Sequence, residues 1–152
     1  MLFTGHSEHT IDAKQRLAIP AKYRSQWDES VHGKAWYCVP WPGGVLRLYP
    51  EKTFERLASS REQTLTPSRD EAELEADLFA FAERLEMDKQ GRVPLPRLHI
   101  ELTGLKSEVV VIGARNRIEV RDRASWVATR ADRFERLASL VEKIESERRR
   151  PG

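Results

Sequence analysis

A chain of 152 residues that is 39% hydrophobic and 33% charged, with a formal net charge of +2, reads as a soluble globular protein of one domain or two small intertwined ones. No stretch approaches the roughly 20 apolar residues of a membrane span. The N-terminus MLFTGHSEH also lacks a basic flank followed by an apolar run, so no membrane partner is expected and a cytoplasmic location is.

From the N-terminus, Asp12 and Arg16 bracket a D-x-x-x-R turn, because a short carboxylate accepts hydrogen bonds from amides two or three residues on. Leu17 and Ile19 then alternate as in a half-buried strand, and Pro20 opens a short helix carrying Tyr23 and Trp27 on one face. An apolar run, Trp36 to Val39, leads through Pro42-Gly43-Gly44 into the alternating strand Leu46 to Tyr49. The single cysteine, Cys38, lies in that run and reads as a small buried hydrophobe.

A helix is predicted over 50–57, and Thr66-Pro67-Ser68 breaks the chain before the next. Ser68 and Glu71 form a capping-box pattern ahead of the helically spaced Leu74, Leu78, Phe81 and Leu85. A second D-x-x-x-R turn follows at Asp88 and Arg92, then Val93, Leu95 and Pro96, the run Val109 to Ile112, the turn Gly113 to Asn116 and the strand Ile118 to Arg121. Trp126, Phe134, Leu137, Val141 and Ile144 mark a long amphipathic helix, ending in Arg148-Arg149-Arg150, a tail expected to fray.

The second series repeats the first. Asp12, Arg16, Leu17, Ile19 and Pro20 recur 76 positions later as Asp88, Arg92, Val93, Leu95 and Pro96, and the strand pairs follow in the same order. Each copy is therefore read as a unit that pairs its own strands. FERLAS also occurs twice, at Phe54 and Phe134, but 80 positions apart, which breaks the register and marks it as coincidence.

Charge is unevenly distributed. Six Lys and Arg stand against four Asp and Glu in residues 1–50, five against ten in 51–87, and fifteen against ten in 88–152. An acidic middle between basic ends lets a polyanion meet one surface, although solvated helix faces account for the same counts.

With FTG at the start, DAKQRLAIPAKYR, the strands around YCVP and LRLYP, and a second copy in MDKQGR and VVVIGARNRIEV, the chain resembles the MraZ family of bacterial transcriptional regulators from Met1 to about Trp126. The resemblance implies an α+β fold of two tandem AbrB-like swapped-hairpin units forming a pseudo-dimeric β-barrel, with peripheral helices and a C-terminal helix. The expected division is 5–51 for the first unit, 52–80 for a helical connector, 81–124 for the second unit and 125–152 for the C-terminal helix and basic tail. It also implies a ring-like homo-oligomer, nucleoid-associated, that binds tandem repeats in double-stranded DNA upstream of the division and cell-wall gene cluster and represses it. Carried over by position, the DNA surface comprises Lys14 and Arg16 in the first turn and Lys89 and Arg92 in the second. Lys22, Tyr23 and Arg24 are added on charge and proximity.

Arginine's planar fork suits phosphate or guanine edges and lysine adds a mobile charge, so a narrow basic turn fits a DNA groove on chemical grounds as well. Asp12 is assigned to holding the turn or pairing with Arg16. Family members carry glycine where this chain has Gln15, as the second copy does at Gly91; Gln15 therefore implies a reshaped or strained turn and is a candidate to read adenine. His99 stands where the family commonly has arginine.

Other chemistry is weakly supported. His6, His9 and Cys38 are too scattered for zinc, no nucleophile triad or phosphate loop has its context, and neither an enzyme nor a cofactor is expected. The tryptophans are assigned to the core. A protein-interaction module of antitoxin-like type, acting through the C-terminal helix, is the alternative reading.

Overall fold

The computed structural model describes residues 1–150; the last two positions of segment 125–152 lie outside the described residues. In the first copy, β1 (His6–Thr10), β2 (Arg16–Ala18), the short helices α1 (Ala21–Arg24) and α2 (Glu29–His32), β3 (Ala35–Trp41) and β4 (Val45–Pro50) follow in order. Helices α3 (Glu51–Ser59) and α4 (Arg69–Phe81) connect to the second copy. That copy contains β5 (Glu83–Glu86), β6 (Arg92–Pro94), α5 (Arg97–Thr103), β7 (Glu108–Gly113) and β8 (Ile118–Asp122), and α6 (Arg123–Arg149) closes the described chain.

Local signals start the elements where the sequence placed them, within a residue. Pro20, Pro50 and Pro96 each sit just before the first helical residue of α1, α3 and α5. The Ser68 hydroxyl accepts from the Glu71 amide at 3.2 Å, the forward half of the capping box. Leu85 departs from the helical reading. Helix α4 stops at Phe81, Ala82 is extended, and Leu85 is buried on β5, where pairing with β3 overrides its helical spacing from Leu78. Arg148 and Arg149, expected to fray, lie within α6.

The architecture is mixed α+β: an antiparallel six-stranded sheet in the order β1-β7-β8-β4-β3-β5, with a two-stranded ribbon of β2 and β6. The within-copy pairs β3–β4 and β7–β8 form as predicted. The remaining pairs correct the expectation that each copy pairs its own strands. β1 of the first copy pairs with β7 of the second, β5 of the second with β3 of the first, β4 with β8, and β2 with β6. The arms flanking each D-x-x-x-R turn thus bond to strands of the other copy, so neither copy completes its sheet alone. Among the described residues the six-stranded sheet is open in its hydrogen bonding, with β1 and β5 at its edges.

The core lies where the two copies interlock. Leu17 and Val93 face each other across the ribbon and are fully buried, with Ile19, Trp36, Leu46, Leu48, Val109, Val111, Ile118 and Val120 around them. Phe3 of the FTG phrase packs edge-on against Tyr23 at 5.1 Å and tilts against Trp36 at 5.8 Å. Trp36 and Trp27 meet at 4.9 Å, matching the core assignment, whereas Trp41 lies on the outer sheet face. The two FERLAS segments occupy unlike places. Phe54 stacks on Tyr37 at 4.4 Å, while Phe134 is 73% exposed.

Candidate nucleic-acid interface

The two D-x-x-x-R turns have one construction. In the first, Asp12 Oδ1 accepts from the amides of Lys14 and Arg16, both at 2.9 Å, and Oδ2 accepts from Arg16 Nε at 2.8 Å. In the second, Asp88 Oδ1 accepts from the amides of Gln90 and Arg92 at 2.9 Å, and Oδ2 from Arg92 Nε at 2.9 Å. Asp12 therefore both holds the turn and pairs with Arg16, the structural role assigned to it. The Arg16 amide foremost, with the Arg16 side chain and the Lys14 amide, holds the Asp12 carboxyl below the usual range; Arg92 and Gln90 do the same for Asp88.

The fold brings these turns to opposite ends of the β2–β6 ribbon. Ile19 N donates to Gly91 O at 2.9 Å, and Leu95 N donates to Gln15 O at 2.8 Å, a reciprocal pair 76 positions apart. Because Gly91 faces Ile19, four strand residues beyond Gln15, the turns stand about 13 Å apart. Lys14, Lys89 and Gln90 are exposed, and Gln15 is half-buried. Arg16 and Arg92 are each 29% exposed, with Nε committed to aspartate.

Residues 15 and 91 share a left-handed backbone, with φ of 59° at Gln15 and 75° at Gly91. The turn has kept its shape despite the substitution. At Gly91 a Cβ would fall 2.2 Å from Arg24 Cδ, because Arg24 lies over the second turn, donating from Nε to Ile19 O at 2.9 Å and from Nη1 to Gln90 O at 3.3 Å. In the second copy Ile100 stands at the position equivalent to Arg24, and residue 15 carries a side chain. A non-glycine residue in this region costs on the order of 1 kcal/mol. Gln15→Gly is accordingly expected to raise the melting temperature by roughly 2–4 °C, read by calorimetry.

The other added residues separate. Lys22 is exposed, its Nζ beside Gly5 and 5.0 Å from the centroid of the Tyr23 ring. Tyr23 is buried and donates its hydroxyl to Thr4 O at 2.7 Å, so its place is the core, which corrects its addition to the DNA surface. His99, its counterpart 76 positions on, is likewise buried. Its Nε2 lies 2.6 Å from Phe81 O, an acceptor only, which sets the proton on Nε2 and leaves Nδ1 to accept from the Cys38 thiol at 3.2 Å. Arg24's bridging role escaped the sequence reading, although the contrast of Arg24 with Ile100 and of Gly91 with Gln15 signalled an asymmetric contact.

The pH dependence follows from these environments. Burial lowers the pKa of His9, His32 and His99, so below about pH 6.5 the unfolded chain takes up protons that the folded one does not. The lowered carboxyls of Asp12 and Asp88 contribute stability that is present above the ordinary carboxylate range near pH 4 and lost as pH falls through their folded values. Both effects act in one direction. Melting temperature is expected to decline from about pH 6.5 downwards and again below about pH 4, with Asp12→Asn/Asp88→Asn shrinking only the second fall.

These features define an internally duplicated α+β protein whose two interlocked copies present paired basic turns. The family model described as "MraZ protein, putative antitoxin-like" matches residues 2–75 and 78–143, one stretch for each copy and reaching well into α6, beyond Trp126. The chain belongs to the MraZ family. It is 30% identical over 146 residues to a protein of Pediococcus pentosaceus named transcriptional regulator MraZ, covering 94% of this chain and 96% of that one. Proteins of the same name from Thioalkalivibrio sulfidiphilus and Leuconostoc mesenteroides are 31% and 32% identical, covering 88% and 90% of this chain and 88% and 94% of theirs. No helix among the described residues is long and apolar enough to cross a membrane.

Proposed function

We propose that this chain is a sequence-specific DNA-binding transcriptional regulator rather than an enzyme, gripping duplex DNA with its paired turns. One observation carries the reading: two identically hydrogen-bonded basic turns stand at the ends of one ribbon, at a spacing close to the roughly 12 Å width of the major groove. The relatives' name, transcriptional regulator, supports it. Lys14 and Lys89 reach phosphates, Arg16 and Arg92 offer the guanidinium nitrogens left over from aspartate, Gln15 reads a base edge, and Lys22 and Arg24 extend the basic surface. The operator is a set of tandem repeats upstream of the division and cell-wall gene cluster, which the protein represses as a cytoplasmic, nucleoid-associated ring of identical chains.

The swapped pairing supports a division into AbrB-like units at 5–51 and 81–124, joined by 52–80 and closed by 125–152, with sheet and ribbon together enclosing the core as a pseudo-dimeric barrel. A gel-shift assay on the chain's own upstream region, at several salt concentrations, tests the function. Arg16→Ala is expected to weaken binding by about 1–3 kcal/mol, and full affinity in that variant defeats the contact. Gln15→Gly with unchanged base preference removes base reading by that side chain.

A stripe on α6 remains uncovered, with Phe134, Leu137, Val141 and Ile144 about half exposed or more. That stripe supports the ring, since repeated subunits on repeated sites multiply effective concentration. Deleting residues after Arg130 is expected to reduce the mass seen by light scattering; an intact oligomer excludes α6 from the contact. The same stripe favours the antitoxin-like reading, which a stoichiometric co-purifying small protein would support.

A further inference from the structure

The outer sheet face carries a second feature, separate from the turns. Helices α3 and α4 stand off β3 and β4 and leave a groove of about 580 Å³, within the roughly 300–1,000 Å³ usual for small-molecule sites. Its wall is apolar and aromatic, including Val39, Tyr49, Phe54, Leu74 and Phe79. Leu74 and Phe79 remain 43% and 46% exposed, so the groove's own side chains do not fill it.

Charge enters the lining through Arg47, Arg61, Glu62 and Glu75, and of these Arg47 makes no close hydrogen bond through its Nε. Glu119 on β8 is 4% exposed and lies opposite Arg47 of β4. Burial pushes its carboxyl up, but Arg121 and Arg117 outweigh that and hold it below the usual range. Arg117 Nε donates to Oε2 at 2.9 Å and Arg121 Nη2 to Oε1 at 2.7 Å. Arg47 comes third. Its Nε lies 3.6 Å from Oε2, is buried, and has no hydrogen-bond partner among the described residues. Its guanidinium stacks 4.4 Å from the Trp41 ring centroid, and the residue lines the groove. Three guanidiniums sharing one carboxylate leave positive charge in excess, beside an apolar cleft.

We propose that this groove binds a small apolar molecule bearing one carboxylate, its body between α4 and the sheet and its headgroup on Arg47. A third guanidinium that meets the shared carboxylate only at 3.6 Å favours an added anionic acceptor, and the open aromatic wall favours an apolar body. The site goes beyond DNA binding and uses none of the turn residues.

Titration calorimetry of the full chain with decanoate, and with decanol as the uncharged counterpart, below micelle-forming concentrations, tests it. Expected is saturable binding of one decanoate per chain, at least tenfold tighter than decanol. Arg47→Gln is expected to abolish that preference while leaving operator binding unchanged, and Leu74→Trp, at the part-exposed wall that α4 gives the groove, to block both probes by filling it. Equal binding of the two probes, a preference that survives in Arg47→Gln, or undiminished binding to Leu74→Trp overturns the proposal. Occupation of the groove by a second copy would appear as a fall in particle mass on adding decanoate, and would also overturn it.

Discussion

Replacing Lys14 and Lys89 together by alanine is expected to weaken operator binding at least tenfold for each ammonium removed, with the folded chain scarcely affected. Both side chains are exposed at the turn tips, so surface truncation should change stability by no more than about 0.5 kcal/mol. A charge-assisted contact to phosphate is worth about 1.5–3 kcal/mol. Each lost phosphate contact should also flatten the salt dependence, reducing the logarithmic slope by about one. A gel-shift series from low to physiological salt reads both effects. The weakening should be similar on unrelated duplexes, since phosphate contacts position the protein without reading sequence. Substitution at Arg16 should instead change which sequences are preferred.

Leu17→Ala should be the most damaging single change in the ribbon. Leu17 is fully buried opposite Val93, and removing such a side chain costs about 2.7–5 kcal/mol, against a total stability of about 5–15 kcal/mol for a typical domain. At roughly 2–4 °C per kcal/mol for a chain of this size, calorimetry should show a fall of roughly 5–20 °C. Operator affinity should fall as well, although Leu17 touches no DNA, because β2 and β6 space the two turns. Loss of stability with unchanged affinity below the transition would mean that the ribbon does not set the geometry used on DNA.

Much of this was legible because it is local. The D-x-x-x-R turn is a five-residue device whose aspartate and arginine are both in the motif, and two copies in register announced that it would be built twice. Strand partnership was not legible, because alternation at Leu17-Ile19 and Val93-Leu95 says which face is buried and nothing about which copy supplies the neighbour. Duplication permits either arrangement; the interlocked one buries Leu17 against Val93. The helical spacing of Leu85 from Leu78 predicts a place on α4, which its pairing opposite Trp36 of β3 overrides. Tyr23 sits between two charged neighbours, yet a four-residue helix sends it inward while Lys22 and Arg24 remain exposed. Glu119 was hidden for a related reason: alternation assigns it to the outer face, but three arginines gather there and bury it.

Site-specific photo-crosslinking is the most direct test of the paired-turn account. A photoreactive residue at position 14, at position 89, or at Glu55 on exposed α3 as comparison would be irradiated with the upstream repeats. Crosslinks from 14 and 89 at neighbouring phosphates, with none from 55, are the expected result. Crosslinking at 55 with silence at both turns would contradict it.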